Sequence, residues 1–148
     1  MTIHDDVAFK STLATLSVAR QRQIAARFVQ QVQPLSGDAR IQSALDTAGR
    51  AGVTAAELDM AAQAANSARV ESFTRCGRET DWRAQAGHFV ARAAVACVKP
   101  EEKGDNLAWD AAMQARLART CETVAEGTGT DNREAEAQYR ILDAFLNS

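Results

Sequence analysis

The segment most informative about the fold is Asp81-Trp-Arg-Ala-Gln-Ala-Gly-His-Phe-Val-Ala-Arg-Ala-Ala-Val-Ala-Cys-Val98. Projected at about 100° per residue, its polar side chains past the first turn fall on one narrow arc, formed by Gln85, His88 and Arg92. A helix that is apolar over about two-thirds of its circumference must be surrounded by other helices. We therefore expect this segment to be the central, most buried helix of an all-α protein.

Capping residues and apolar stripes around this segment predict six or seven helices. The clearest local signal is the capping box Thr54-Ala-Ala-Glu57. The predicted helices are Asp5–Leu16, Ser17–Val32, Asp38–Gly49, Thr54–Gly77, Asp81–Val98 with Thr80 as its cap, Leu107–Glu126, and a last one opened by Asp131 and Glu134. Strand-like alternation is missing from the sequence, and 148 residues suit one domain. The prediction is a compact helical bundle with short loops over residues 1–148.

Alanine accounts for 31 of the 148 residues, which favours close packing of helices. The inward face of the fourth helix is predicted as Leu58, Ala61, Ala62, Ala65, Ala68 and Cys76. The sixth helix is predicted to turn a seam of Trp109, Met113, Leu117, Thr120, Cys121 and Val124 inward. If the fifth and sixth helices form an antiparallel hairpin, residues at equal heights have numbers that sum to about 205. Leu117 then lies level with His88, and Cys97 lies too far from Cys121 for a disulfide.

Composition and charge argue against several classes of protein. The net charge is −2 and basic residues are interspersed with acidic ones, so we expect no nucleic-acid partner. No run approaches the roughly 18–20 apolar residues of a membrane span, and Asp5 and Asp6 stand where a signal peptide would carry lysines. Three scattered cysteines do not form a disulfide framework. We expect a cytoplasmic protein that does not engage membranes.

Residues for metal or cofactor chemistry are scarce. Only two histidines occur, and position 85 is glutamine where a di-iron Glu-x-x-His pair would need glutamate. Cys97 lies nine residues after His88 on the same helix, about 13.5 Å away and on the opposite side, so these two cannot form a nucleophilic pair. The loop Gly127–Thr130 lacks the Gly-Lys-Ser/Thr ending of a phosphate loop. We expect no metal, no cofactor and no catalytic residue.

Two surfaces are candidate binding sites. The first is an arginine corner, in which Arg75, Arg78, Trp82 and Arg83 surround the start of the fifth helix and could hold an anion or an acidic side chain of a partner. Pairing with Glu79 and Asp81 is the alternative, and the helical projection favours core packing for Trp82. The second is a ligand pocket between helices near Trp82, His88 and Trp109.

One further charged residue needs a structural explanation. Arg69 falls within the alanine face of the fourth helix, beside Phe73. Its guanidinium either reaches outward to solvent or forms a buried ion pair with Asp46, Asp59 or Asp110.

The alanine-rich middle of the chain, with Thr54-Ala-Ala-Glu-Leu58 and an Ala-x-x-Ala-Ala spacing from Ala61, resembles small helical immunity-type proteins of bacterial toxin systems. The likeness spans about half the chain and rests on composition, so no functional residue is carried across. Together with the missing catalytic residues, it favours a non-catalytic protein that neutralises or regulates a protein partner. The alternatives are a small-ligand or cofactor binder and an enzyme with an unfamiliar site. Self-association of the chain stays open.

Overall fold

Seven α-helices and one 3-10 turn account for the fold in a computed structural model that describes residues 2–76 and 81–148. The elements are α1 (Asp6–Ala14), α2 (Val18–Val32), the 3-10 turn Gln33–Leu35, α3 (Ala39–Gly49), α4 (Ala55–Arg75), α5 (Trp82–Val98), α6 (Leu107–Ala125) and α7 (Glu134–Leu146). Helix makes up 76% of the structure, and the described residues include no β-strand. The prediction of an all-α bundle is confirmed.

Local capping sets most helix starts where the sequence predicts them. At α4 both bonds of the capping box form, since Thr54 Oγ1 accepts from the Glu57 N–H and Glu57 Oε1 accepts from the Thr54 N–H, each at 3.1 Å. At α5 the cap is Asp81, whose carboxylate accepts from two helical N–H groups at 3.1 Å. The predicted cap Thr80 lies outside the described residues. At α7 the N-cap residue is Arg133, whose side chain forms no capping bond, and the amide oxygen of Asn132 accepts from the Glu134 N–H at 3.1 Å. The helix begins at Glu134 as predicted, but the predicted role of Asp131 at its start is wrong.

The helices are arranged in two layers. In the first layer α5 lies between α4 and α6, and α2 and α3 cover the inner side of α5. The helices α1 and α7 complete the bundle next to α6 and α2. Nine residues of α5 are buried, more than in any other described helix, which agrees with its predicted central position.

The seam predicted for α6 is correct only in part: Cys121 is buried and Trp109 and Met113 pack against the core, but the prediction for Leu117 is wrong. Leu117 is 43% exposed, and the helix turns its small side chains inward instead. The buried residues of α6 are Leu107, Ala108, Ala111, Ala112, Ala115, Ala118, Cys121 and Thr123. The reason is steric, because α6 packs against both α5 and α2, and α5 also presents alanines. Two alanine faces approach more closely than an interface with leucine would permit.

The hairpin of α5 and α6 runs in the predicted antiparallel direction. Lys99, at the C-terminal end of α5, contacts Asp110 in the first turn of α6, with 2.9 Å between Nζ and Oδ2. At the opposite end, Arg83 and Glu122 line one small cavity. All three cysteines are free, so no disulfide joins Cys97 to Cys121.

A buried arginine fastens α2 to the end of α5. Arg22 is only 7% exposed, and its Nη1 donates to the carbonyl oxygens of Cys97 at 3.0 Å and Lys99 at 2.9 Å. The last carbonyls of a helix have no partner within the helix itself. Arg22 therefore serves as a C-terminal cap for α5 that comes from another helix.

Of the helices described, none is long and apolar enough to cross a membrane.

Candidate functional site

The side of α5 that no helix covers forms the floor of a groove between α4 and α6. The groove has a volume of about 510 Å³ and is lined mainly by Arg69 and Phe73 of α4, His88, Arg92, Val95 and Ala96 of α5, Lys99, and Asp110 and Gln114 of α6. We call it the outer groove. Its floor includes His88 and Arg92, two of the three residues on the polar arc predicted for this helix.

The wall on α4 carries an exposed aromatic ring beside a cation. Phe73 is 67% exposed, and its ring centroid lies 5.7 Å from that of His88. Arg69 lies one turn earlier and donates from Nε to the Asn66 side chain at 2.9 Å. In the described chain it forms none of the ion pairs with Asp46, Asp59 or Asp110 that the sequence suggested as one alternative. Arg69 is half-buried, which agrees with the outward-reaching alternative.

His88 is hydrogen-bonded to its neighbour on α4. The Ser72 hydroxyl oxygen lies 2.9 Å from the Arg69 carbonyl oxygen and 2.9 Å from His88 Nδ1. The hydroxyl has one proton, so it either donates to the carbonyl and accepts from Nδ1, or it donates to Nδ1. Burial lowers the pKa of His88, and the charges of Arg92 and Arg69 lower it further. The imidazole, 8% exposed, is thus neutral at neutral pH.

The groove has more positive than negative charge. Arg92 stacks over Phe89 at 5.6 Å, and neither Arg92 nor Arg69 forms an ion pair with a carboxylate of the described residues. Lys99 is different, because it contacts both Asp110 and Asp105. The Gln114 Oε1 atom is buried and lacks a hydrogen-bond partner among the described residues. The outer groove thus offers two available guanidinium groups, one exposed ring and one buried acceptor without a partner among the described residues, Gln114 Oε1.

Ser72 and His88 form a hydroxyl–imidazole contact without the third group of a catalytic triad. Among the described residues, no carboxylate is hydrogen-bonded to the imidazole of His88 to orient it. Burial raises the pKa of all three thiols, most strongly that of Cys97, to about 12, so none is a reactive thiolate at neutral pH. Within residues 2–76 and 81–148, no three His, Cys, Asp or Glu side chains converge in a geometry that could hold a metal ion.

The arginine corner forms a second, larger cleft, of about 650 Å³, between the start of α3, the end of α4 and the start of α5. Arg75 and Arg83 both line it, Trp82 is 40% exposed and does not, and Arg78 lies outside the described residues. The prediction that Trp82 packs in the core is wrong, since Asp81, Trp82 and Arg83 at the start of α5 are all exposed.

Carboxylates accompany the arginines of this corner. Glu71 contacts both Arg75 and Arg40, and Asp38 lies 2.6 Å from Arg40. The Arg40 guanidinium lowers the pKa of Glu71 and of Asp38 below their usual values, and Arg75 lowers the pKa of Glu71 further. Much of the positive charge here is therefore already neutralised within the protein.

The pocket predicted near Trp82, His88 and Trp109 does not bring these residues together in the outer groove. His88 lines the groove, but neither tryptophan does. Trp109 packs on the other side of α6, with its ring 6.1 Å from Phe9 and the Lys10 ammonium 5.2 Å above it. It belongs to the contact between α1 and α6.

Sequence reasoning missed Phe73, Gln114 and the exposure of Leu117. The signal for the groove was present in the polar arc of α5, because an arc that avoids apolar residues marks the side that other helices leave uncovered. Its walls could not be found in this way, since they depend on how α4 and α6 are rotated about their axes.

Comparison of this chain with known protein families, curated proteins and solved structures finds no match. The resemblance of the α4 segment to immunity-type proteins stays a prediction from composition.

Proposed function

We propose that this chain is a non-catalytic protein that binds and regulates another protein, and that the outer groove is its recognition surface. One observation carries the proposal. Phe73, 67% exposed, lies beside Arg69 and Arg92 on the uncovered side of the central helix. Aromatic and arginine side chains are the types most enriched at the energetic centres of protein interfaces.

Two features of the groove support the proposal physically: the exposed Phe73 ring and the guanidinium groups of Arg69 and Arg92, which have no carboxylate partner among the described residues. An exposed phenylalanine ring leaves apolar surface in water, and its burial is worth about 25 cal/mol per Å². Guanidinium groups without a carboxylate are available for bidentate ion pairs, which are stronger than neutral hydrogen bonds. A partner that covers the groove satisfies both. In the arginine corner, by contrast, Arg75 already pairs with Glu71.

Site-specific photo-crosslinking in the native cell tests this proposal. A photoreactive phenylalanine analogue is placed at Phe73, at Leu117, or at the control position Val7, which is on α1 and 82% exposed. We expect Phe73 and Leu117 to give the same single protein adduct and Val7 to give none. Equal labelling from Val7, or no adduct from Phe73 and Leu117, would contradict the proposal.

Charge reversals then separate the two surfaces. Arg69→Glu with Arg92→Glu should abolish the adduct, whereas Arg75→Glu with Arg83→Glu should leave it. The arginine corner is the correct surface if the result is the opposite. Circular dichroism and the melting temperature must show that each variant is folded as the parent.

A small-ligand binder is a second candidate, favoured by Gln114 Oε1, a buried acceptor without a partner among the described residues. A buried acceptor without a donor is costly, and a ligand that carries both an anionic group and an O–H or N–H group would pair with it and with the arginines. Native mass spectrometry of the gently purified protein tests this. A mass equal to that of the bare chain contradicts the ligand hypothesis.

A further inference from the structure

We propose that the outer groove binds an acidic amphipathic helix of the partner, with an apolar side chain seated at Phe73 and Leu117 and carboxylates at Arg69 and Arg92. This inference rests on the proposed function and names the chemistry of the partner segment.

The shape of the groove favours a helix over an extended strand. From His88 to Lys99 the floor spans eleven residues of helical rise, or about 16 Å, which matches a docked helix of about three turns. A docked strand would need an exposed sheet edge, and the walls here are helices whose backbone groups are bonded internally. Side-chain packing is therefore the main means of recognition, as in helix-in-groove binding.

The charge of the groove selects the sign of the docked face. Arg69 comes from the α4 wall and Arg92 from the floor, and neither has a carboxylate partner in the described chain. His88 between them is neutral, so it does not compete for an anion. A carboxylate placed above the floor can accept from both guanidinium groups, and a basic helix would be repelled.

The apolar and cationic groups are separated along the groove. Phe73 lies one turn from Arg69 on α4. The contacts of Lys99 with Asp110 and of Arg83 and Glu122 with one cavity fix an antiparallel register in which Leu117 lies about level with His88. Leu117 also follows the groove residues Asp110 and Gln114 at helical spacing, on the same side of α6. A matching helix therefore carries an apolar residue three or four positions from an acidic residue on one face.

Designed peptides test this directly. The probes are three fluorescent helical peptides of about 14 residues: one with leucine and glutamate on one face, one with lysine in place of each glutamate, and one with the first composition scrambled. Fluorescence anisotropy with the full chain should show the acidic peptide binding at least tenfold more tightly than the other two. Raising the salt concentration should weaken this binding, because exposed charges are screened.

Variants of the protein assign the contact. Arg69→Glu with Arg92→Glu should weaken binding of the acidic peptide at least tenfold and should create binding of the lysine peptide. Phe73→Ser should weaken binding of the acidic peptide without reversing the charge preference. Arg133→Glu with Arg140→Glu is a matched reversal at two exposed positions, the N-cap of α7 and a residue within that helix, and it should change neither.

Several outcomes overturn the inference. Equal binding of the acidic and lysine peptides, or an equal loss in the α7 control, removes the charge argument. Competition by free glutamate as strong as by the peptide shows a small-anion site, and a groove crosslink to a second copy of this chain shows self-association. If photo-crosslinking captures a partner but the acidic peptide does not bind, this inference fails while the proposed function stands. The absence of any partner crosslink contradicts the proposed function itself.

Discussion

Arg22 links two helices through a contact that only the folded chain can form. Its guanidinium donates to carbonyls 75 and 77 residues away, and burial lowers its pKa although it stays charged. The neighbouring Gln21 acts in a similar way, because its side-chain amide donates to the carbonyls of Leu13 and Leu16 at the end of α1. The start of α2 thus caps the ends of two other helices.

Substitution of Arg22 by methionine should destabilise the protein by about 2 kcal/mol. The methionine keeps the aliphatic packing, but two carbonyls lose charge-assisted hydrogen bonds, a loss only partly offset by removal of a buried charge. Urea unfolding measures the change in free energy. Arg133→Met, at an exposed position, is the control and should shift stability by less than about 0.5 kcal/mol. Equal effects of the two changes would show that the cap contributes nothing.

Asp6 ties α1 to α6 and α7, because its carboxylate accepts two bonds from Arg116, at 2.8 and 2.9 Å, and one from the Tyr139 hydroxyl at 2.7 Å. These contacts, first of all that with Arg116, lower the pKa of Asp6. A lowered pKa in the folded state stabilises the protein above the unfolded value of about 4, and this contribution disappears as the pH falls through the lower folded value.

Asp6→Asn should therefore cost about 1 kcal/mol at pH 7, a modest figure because the carboxylate is half-exposed. The difference from the parent should shrink as the pH falls below about 4. Thermal unfolding between pH 2 and pH 7 tests both statements. Asp131→Asn, at an exposed loop position, is the control and should change the free energy of unfolding at pH 7 by less than about 0.5 kcal/mol. A gap between Asp6→Asn and the parent that persists unchanged at pH 2 would refute the assignment to this carboxylate.

In α6 most of the small alanine side chains are buried, whereas the large side chain of Leu117 is exposed. Apolar side chains along a helix predict which residues lie on one stripe, but not which of two neighbouring stripes faces the core. Leu117 was assigned inward because large apolar residues usually gain most from burial. The alanines of α5 and α2 decide otherwise, because close helix contact buries backbone and methyl groups that leucine would hold apart.

A pair of substitutions on α6 distinguishes these two interfaces. Ala115→Leu should destabilise the protein by about 1–3 kcal/mol, because Ala115 is fully buried and extra methylenes overpack the interface. Leu117→Ala, two positions further on, should cost less than about 1 kcal/mol. Chemical denaturation of both variants provides the measurement. If Leu117→Ala is the more damaging change, the interface lies on the stripe first predicted from the sequence.

Across the protein, the features that could be predicted are those that depend only on residues close together in the sequence. The capping box at Thr54 and the polar arc of α5 needed only neighbouring residues, and both are found in the structure. The groove walls, the cap from Arg22 and the placement of Trp109 against Phe9 could not be predicted, because each depends on residues far apart in sequence. Among the features that involve distant residues, the register of the hairpin of α5 and α6 was the easiest to predict, because a short connection leaves two adjacent helices few other arrangements.

The bonds from Arg22 have a consequence for how the bundle opens. Cys97, whose carbonyl accepts one of them, has no exposed surface, and burial raises the pKa of its thiol to about 12. A thiol reacts only when it is exposed to solvent and deprotonated, so the labelling rate of Cys97 reports how often the bundle opens. With Cys76 and Cys121 changed to serine, its labelling by a disulfide reagent should be orders of magnitude slower than that of an unfolded control. Arg22→Met should accelerate this labelling about 30-fold, the factor that corresponds to 2 kcal/mol. Labelling as fast as that of the unfolded control would mean that the end of α5 is already open in the native state.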